Sequence, residues 1–353
     1  MKNENFTQIV DLRRRSNYED LRGKYTQFLE SIHDVVRKGE VLRLSTPLSA
    51  FWAITRKCNL RCSHCYASSF LEKESKELEI TAAFQIIDTL KNMNIGEIVL
   101  EGGEPLCYPN FCELVEYVKL KDIPITLITN GTMFSEKIIE CINNKFDAYD
   151  AIQISMDGTK ETCDLIRGKG TYDKVIGTIS KLRCQIIINC VITNETIHTI
   201  ENMCSILNKY ENVRTVHFSP LMKMGKGIVH KEAEIHYAID VLKGLKRKYG
   251  DWISGTTVPD AELFKLEKVP FIDMKNIIFG CCAGRSKIFI NPEGEVFPCD
   301  FCQQESHINI LNQNFYDEWN HHWNVQAKTA QIVSQKMKQT GKLLKFCPNM
   351  EVV

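Results

Sequence analysis

The stretch Ala50-Phe51-Trp52-Ala53-Ile54-Thr55-Arg56-Lys57-Cys58-Asn59-Leu60-Arg61-Cys62-Ser63-His64-Cys65-Tyr66 joins two unlike halves. Residues 50–55 are apolar or β-branched and read as a buried strand. Three cysteines then follow at gaps of three and two residues, where a loop can wrap one centre. Further strands are expected at 96–101, 123–129, 151–156, 185–192 and 213–219. Helical patterns lie between them, near 80–94, 110–120, 135–144, 172–183 and 196–210. In the first helix Ile80, Ala83, Phe84, Ile87 and Leu90 form one apolar stripe. Near-continuous apolar strands joined by helices predict a parallel sheet covered on both faces. Six such units give an α/β fold, a partial (β/α)6 TIM-like barrel, with functional groups gathered at the C-terminal strand ends.

Around this barrel, assigned to 48–230, the pattern changes. Residues 1–47 read as a charged helical lead-in, with Tyr25, Phe28, Leu29 and Ile32 at helical spacing before Pro47. Residues 231–276 read as a helical linker, and 277–353 as a small module built on the hairpin KIFI-NPEG-EVFP. With 44 basic and 44 acidic residues and no basic run, a nucleic-acid partner has no electrostatic support. No stretch approaches the roughly 20 apolar residues that cross a bilayer. The first residues lack the apolar centre of a secretion signal. A cytoplasmic protein with no membrane partner is expected. In that reducing compartment, 15 cysteines point to metal binding or catalysis rather than disulfides. Cys141, Cys163, Cys184, Cys190 and Cys204 stand singly and read as small buried side chains.

Thiolates are natural ligands of iron–sulfur clusters, so Cys58, Cys62 and Cys65 are candidate ligands of a [4Fe–4S] cluster. Three ligands leave one iron open for catalysis. A structural zinc would need a fourth ligand, and His64, between two of the cysteines, is awkwardly placed to be one. The Cys-x3-Cys-x2-Cys spacing with a following aromatic resembles the signature of the radical S-adenosylmethionine (SAM) superfamily. The resemblance runs over about 48–350. It implies that Gly102, Gly103, Glu104 and Pro105 hold the methionyl amino group of SAM. Thr129 and Asn130, then Ser155 and Asp157, are implied as SAM-binding or substrate-facing. Arg167 is implied as the partner of the SAM carboxylate, and Asn189 and Asn194 as contacts of the adenosine. The implied reaction is reductive cleavage of SAM to a 5′-deoxyadenosyl radical, which abstracts a substrate hydrogen. No catalytic acid or base is named: Tyr66, Asp157, Met222, Lys223 and Lys226 stay uncommitted.

The run Cys282-x11-Gly294-x4-Cys299 resembles the start of a SPASM extension, or its shortened twitch form. It implies a second [4Fe–4S] cluster on Cys282, Cys299, Cys302 and Cys347, with Cys281 an alternative to Cys282. A four-cysteine zinc site fits the same spacing, and buried thiols are the remaining reading. The implied substrate is a ribosomally made peptide or a protein side chain, and the implied partner a one-electron reductant such as flavodoxin or ferredoxin. The short lead-in leaves a small-molecule or tetrapyrrole substrate open. An iron–sulfur electron carrier or a zinc protein without enzymatic activity is the contrasting class.

Overall fold

Six strands run parallel in chain order: β1 (Ser49–Thr55), β2 (Glu97–Gly102), β3 (Ile125–Thr129), β4 (Ala151–Ser155), β5 (Gln185–Ile192) and β6 (Val213–Pro220). This is a computed structural model that describes residues 46–68, 77–255, 284, 287–301, 303, 308–312 and 314–321. The helices between the strands are α1 (Ile80–Asn92), α2 (Phe111–Leu120), α3 (Glu136–Lys145), α4 (Lys160–Arg167), α5 (Thr171–Lys181) and α6 (Ile200–Leu207). α7 (Ile235–Tyr249) leads to the short strand β7 (Ile253–Gly255), which pairs parallel to β6.

The period of two along each strand sorts the residues. Ile98 and Leu100, Ile125 and Leu127, Ile152 and Ile154, and Ile186 and Ile188 are fully buried toward the helices. α1 answers with Ala83, Ile86, Ile87 and Leu90, all at most 1% exposed. Residues of the other parity, among them Glu101, Ile128 and Ser155, face the hollow of the open barrel, whose strand ends carry the site.

The hairpin strands β8 (Lys287–Ile290) and β9 (Glu295–Phe297) join this same sheet, because β8 pairs parallel to β1. The sheet order is β10-β9-β8-β1-β2-β3-β4-β5-β6-β7, with β10 (Ile308–Asn309) antiparallel to β9. Phe289 and Phe297 close a second small core on Ala53 and Phe51, facing away from the helices. α8 (Phe315–His321) packs on the main core instead, through buried Phe315 and Trp319. Among the described residues no helix is long and apolar enough to cross a membrane.

Candidate active site

The loop after β1 is anchored from four sides. Gly103 N donates to Thr55 O and Glu104 N to Lys57 O, both at 2.8 Å, so the turn after β2 lies against the start of the loop. A Cβ at Gly103 would come within 2.3 Å of Lys57 O, and one at Gly102 within 2.4 Å of Thr55 O. Only glycine permits that approach. From β3, Asn130 Nδ2 donates to Asn59 Oδ1 at 2.8 Å. From α4, Ile166 O accepts from Ser63 N at 2.9 Å. From the turn after β6, Lys226 N donates to Cys65 O at 3.0 Å. Gly225 makes this last contact possible, since a Cβ there would meet Tyr66 O at 2.5 Å.

The hairpin adds a fifth hold at both ends of the loop. Arg56 forks onto Glu293 at 2.7 and 3.1 Å. Tyr66 donates its hydroxyl to Asp300 Oδ2 at 3.1 Å, and Lys287 Nζ lies 3.1 Å from Asp300 Oδ1. Burial first, then the Asp300 charge, pushes the Tyr66 hydroxyl well above its usual range.

These anchors frame a cavity of about 290 Å³ lined by Cys58, Cys62 and Cys65, with Gly102, Gly103, Thr129, Asn130, Ser155 and Arg167 on its other walls. Burial pushes the Cys58 thiol up to about 11 and raises those of Cys62 and Cys65. Among the described residues no three His, Cys, Asp or Glu side chains converge tightly enough for a single metal ion. Three soft donors spread around one cavity suit a polynuclear iron–sulfur group better than one ion.

Several expected contact residues lie behind the cavity wall instead. Glu104 is fully buried and accepts from Asn130 N at 2.7 Å, Thr129 Oγ1 at 2.7 Å and Leu106 N at 3.2 Å. Burial still pushes its carboxyl up to about 7, against these three donors. Pro105 starts the short helical turn Pro105–Cys107 under it. Asp157, also fully buried, lies 2.8 Å from His64 Nε2 and 2.6 Å from Arg167 Nε, and accepts from Val191 N at 2.9 Å. Burial alone would raise this carboxyl; Arg167 and His64 outweigh it and hold it below the usual range. Asn189 accepts from Ser219 at 2.6 Å inside the barrel. Asn194 is exposed beyond β5, bonded to Lys231 through its backbone.

Sequence reasoning passed over Asn59, Glu293, Asp300 and the Gly225–Gly227 turn. The two glycines flanking Lys226 were the available signal for the last. Of the C-terminal cysteines, Cys299 is buried just past β9; Cys281, Cys282, Cys302 and Cys347 lie outside the described residues.

The three thiols and the glycine ledge of the strand-end cavity lie within residues 52–211, which match the radical SAM superfamily. Those residues form a radical SAM domain; such domains belong to enzymes and take SAM and a [4Fe–4S] cluster. Among the chain's relatives, the mycofactocin maturase MftC of Mycolicibacterium smegmatis is 28% identical, over 79% of this chain and 71% of that protein. An AdoMet-dependent heme synthase of Methanosarcina barkeri is 25% identical, over 78% and 82%. The same fold occurs in Streptococcus suis SuiB, solved bound to its precursor peptide SuiA, with a TM-score of 0.66 at 15% identity over 82% of this chain and 68% of that one.

Proposed function

We propose that this enzyme is a maturase that modifies a ribosomally made peptide or a protein side chain. The observation that carries the reading is the cavity itself, where Cys58, Cys62 and Cys65 face the Gly102–Gly103 ledge. The peptide class is supported by the maturase relative and by the precursor peptide on the structural neighbour. In this reading the three cysteines hold the cluster, while Gly102 to Pro105, Thr129, Asn130 and Ser155 shape the SAM seat. When bound, cluster and cofactor supply the electron and the hydrogen-atom abstraction. The chain's own part is to orient and to exclude water. Arg167 stands on the cavity wall with its Nε toward Asp157 and its guanidinium also bonded to Cys62, so it holds the β4 side and the cysteine loop together.

A second cluster on Cys299 with Cys282 or Cys281, Cys302 and Cys347 completes the proposal. Its support is the placement of Cys299 beside Asp300, which is bonded to Tyr66 at the edge of the first cysteine loop. A flavodoxin or ferredoxin donor in a reducing cytoplasm suits both centres. The heme synthase relative favours a second reading, a tetrapyrrole substrate.

The test is anaerobic reduction of the iron-loaded enzyme with SAM, followed by mass spectrometry of short peptides encoded beside its gene. The expected results are 5′-deoxyadenosine release and a mass change in one peptide. Cys58→Ala abolishes both, and Cys299→Ala lowers iron by about one cluster's worth. Nucleoside release with every peptide mass unchanged would turn the reading to the tetrapyrrole; no nucleoside at all would sink it.

A further inference from the structure

One carboxyl on the cavity wall has no protein partner among the described residues. Glu101, the last residue of β2 before the glycine ledge, is 9% exposed and is the single carboxylate on the cavity wall. Among the described residues, no N–H or O–H donates to it and no cation forms an ion pair with it. Its neighbours are committed elsewhere. Tyr66 and Lys287 both bind Asp300, Arg61 binds the carbonyls of Cys58 and Leu60, and Arg167 faces Asp157. The other buried acids of the site show the contrast, since Glu104 takes three donors and Asp157 two bases and an amide. An acid that no protein group meets among the described residues, and whose oxygens open onto the cavity rather than lying sealed beneath it, is placed to meet what the cavity holds.

We propose that Glu101 is the pocket's substrate-contacting carboxyl, donating a hydrogen bond to an acceptor oxygen of the substrate, in a peptide an amide carbonyl. This rests on the maturase reading and names the group that reads the substrate. The charges facing Glu101 are Asp300 from beyond β9, Lys287 from β8 and, across the cavity, Arg61, Arg167 and Lys226. Burial first, then the Asp300 charge, pushes the Glu101 carboxyl up to about 8, with Lys287 opposing. At neutral pH the group therefore keeps its proton and is a donor rather than an anion. Tyr66 and Asp300 hold its surroundings fixed and leave it free toward the cavity.

The experiment compares wild type, Glu101→Gln and Glu101→Leu as iron-loaded enzymes, on the peptide that the mass-spectrometric test identifies, from pH 6 to 9. Glu101→Gln keeps an N–H donor, so its peptide KM should stay within about threefold of wild type at pH 7, while Glu101→Leu raises it about thirtyfold. The Leu effect on the KM for SAM should be at least about tenfold smaller than on the peptide KM, since the lost bond is to the peptide. Wild-type peptide KM climbs as pH passes about 8, and the Gln profile stays flat. If Glu101→Leu yields no folded enzyme, the flat Gln profile against the climbing wild-type one decides. Equal shifts in both KM values, or identical pH profiles for wild type and Gln, would overturn the assignment while leaving the maturase reading standing. A wild type that modifies no peptide removes that reading, and this inference with it.

Discussion

Glu104 and Asp157 stand on opposite sides of the same cavity, one past the end of β2 and the other past the end of β4. Both are fully buried, both sit behind the wall, and both connect a strand end to the cysteine loop. Their company differs. Glu104 is met only by neutral donors, two backbone amides and a threonine hydroxyl, and its carboxyl titrates near 7. Asp157 is met by a guanidinium and an imidazole and is locked in its charged form. Neutral donors offset part of the burial penalty, whereas a cation reverses it. One side of the site is thus a hydrogen-bonded brace and the other an ion-paired one.

The comparison predicts unequal losses. Asp157→Ala leaves Arg167 buried without its counter-charge and should destabilise the fold by about 3–5 kcal/mol, read from urea unfolding. Glu104→Ala leaves three donors without an acceptor but no buried charge, so about 2–3 kcal/mol is expected from the same measurement. If Glu104→Ala proves the more damaging, the ion pair is not what braces the β4 side. Glu104→Gln keeps one acceptor oxygen and should fall between wild type and Glu104→Ala.

The brace residues are also where reading the chain stopped short. All six barrel strands were legible, with β5 matching over 185–192, because apolar runs of five to eight residues between amphipathic helices have few other interpretations. The three cysteines were legible because their spacing is itself the chemical signal. α4 was not, since its eight residues between Thr159 and Gly168 hold only three buried positions, Cys163, Ile166 and Arg167. The pairing of β8 with β1 joins residues more than 230 positions apart, as in Ser49 with Lys287, and nothing local marks it. Asp157 and Glu104 were picked out as contact residues, and polarity at a strand end cannot say whether a side chain turns into the cavity or behind it. That choice is made by partners from other parts of the chain: Thr129 and Asn130 at the end of β3 for Glu104, His64 of the cysteine loop and Arg167 of α4 for Asp157.

Glu101 extends the comparison to a third carboxyl that neither kind of partner satisfies, and its effect on stability has a definite sign. In the unfolded chain a glutamate loses its proton near pH 4.3. In the fold Glu101 holds its proton to about 8. Between these values the folded state carries a proton that the unfolded state has released, so stability falls as pH rises and levels off above the folded value. Most of that decline is over by pH 7. From pH 7 to 8 the Glu101 contribution should still be about 1 kcal/mol, read as the difference in urea-unfolding free energy between wild type and Glu101→Gln at each pH. Glu104 titrates lower and contributes equally to both proteins, so it cancels in the difference. A Gln variant whose stability falls as steeply as wild type over this unit would mean that Glu101 is already ionised, and hence paired, in the folded protein.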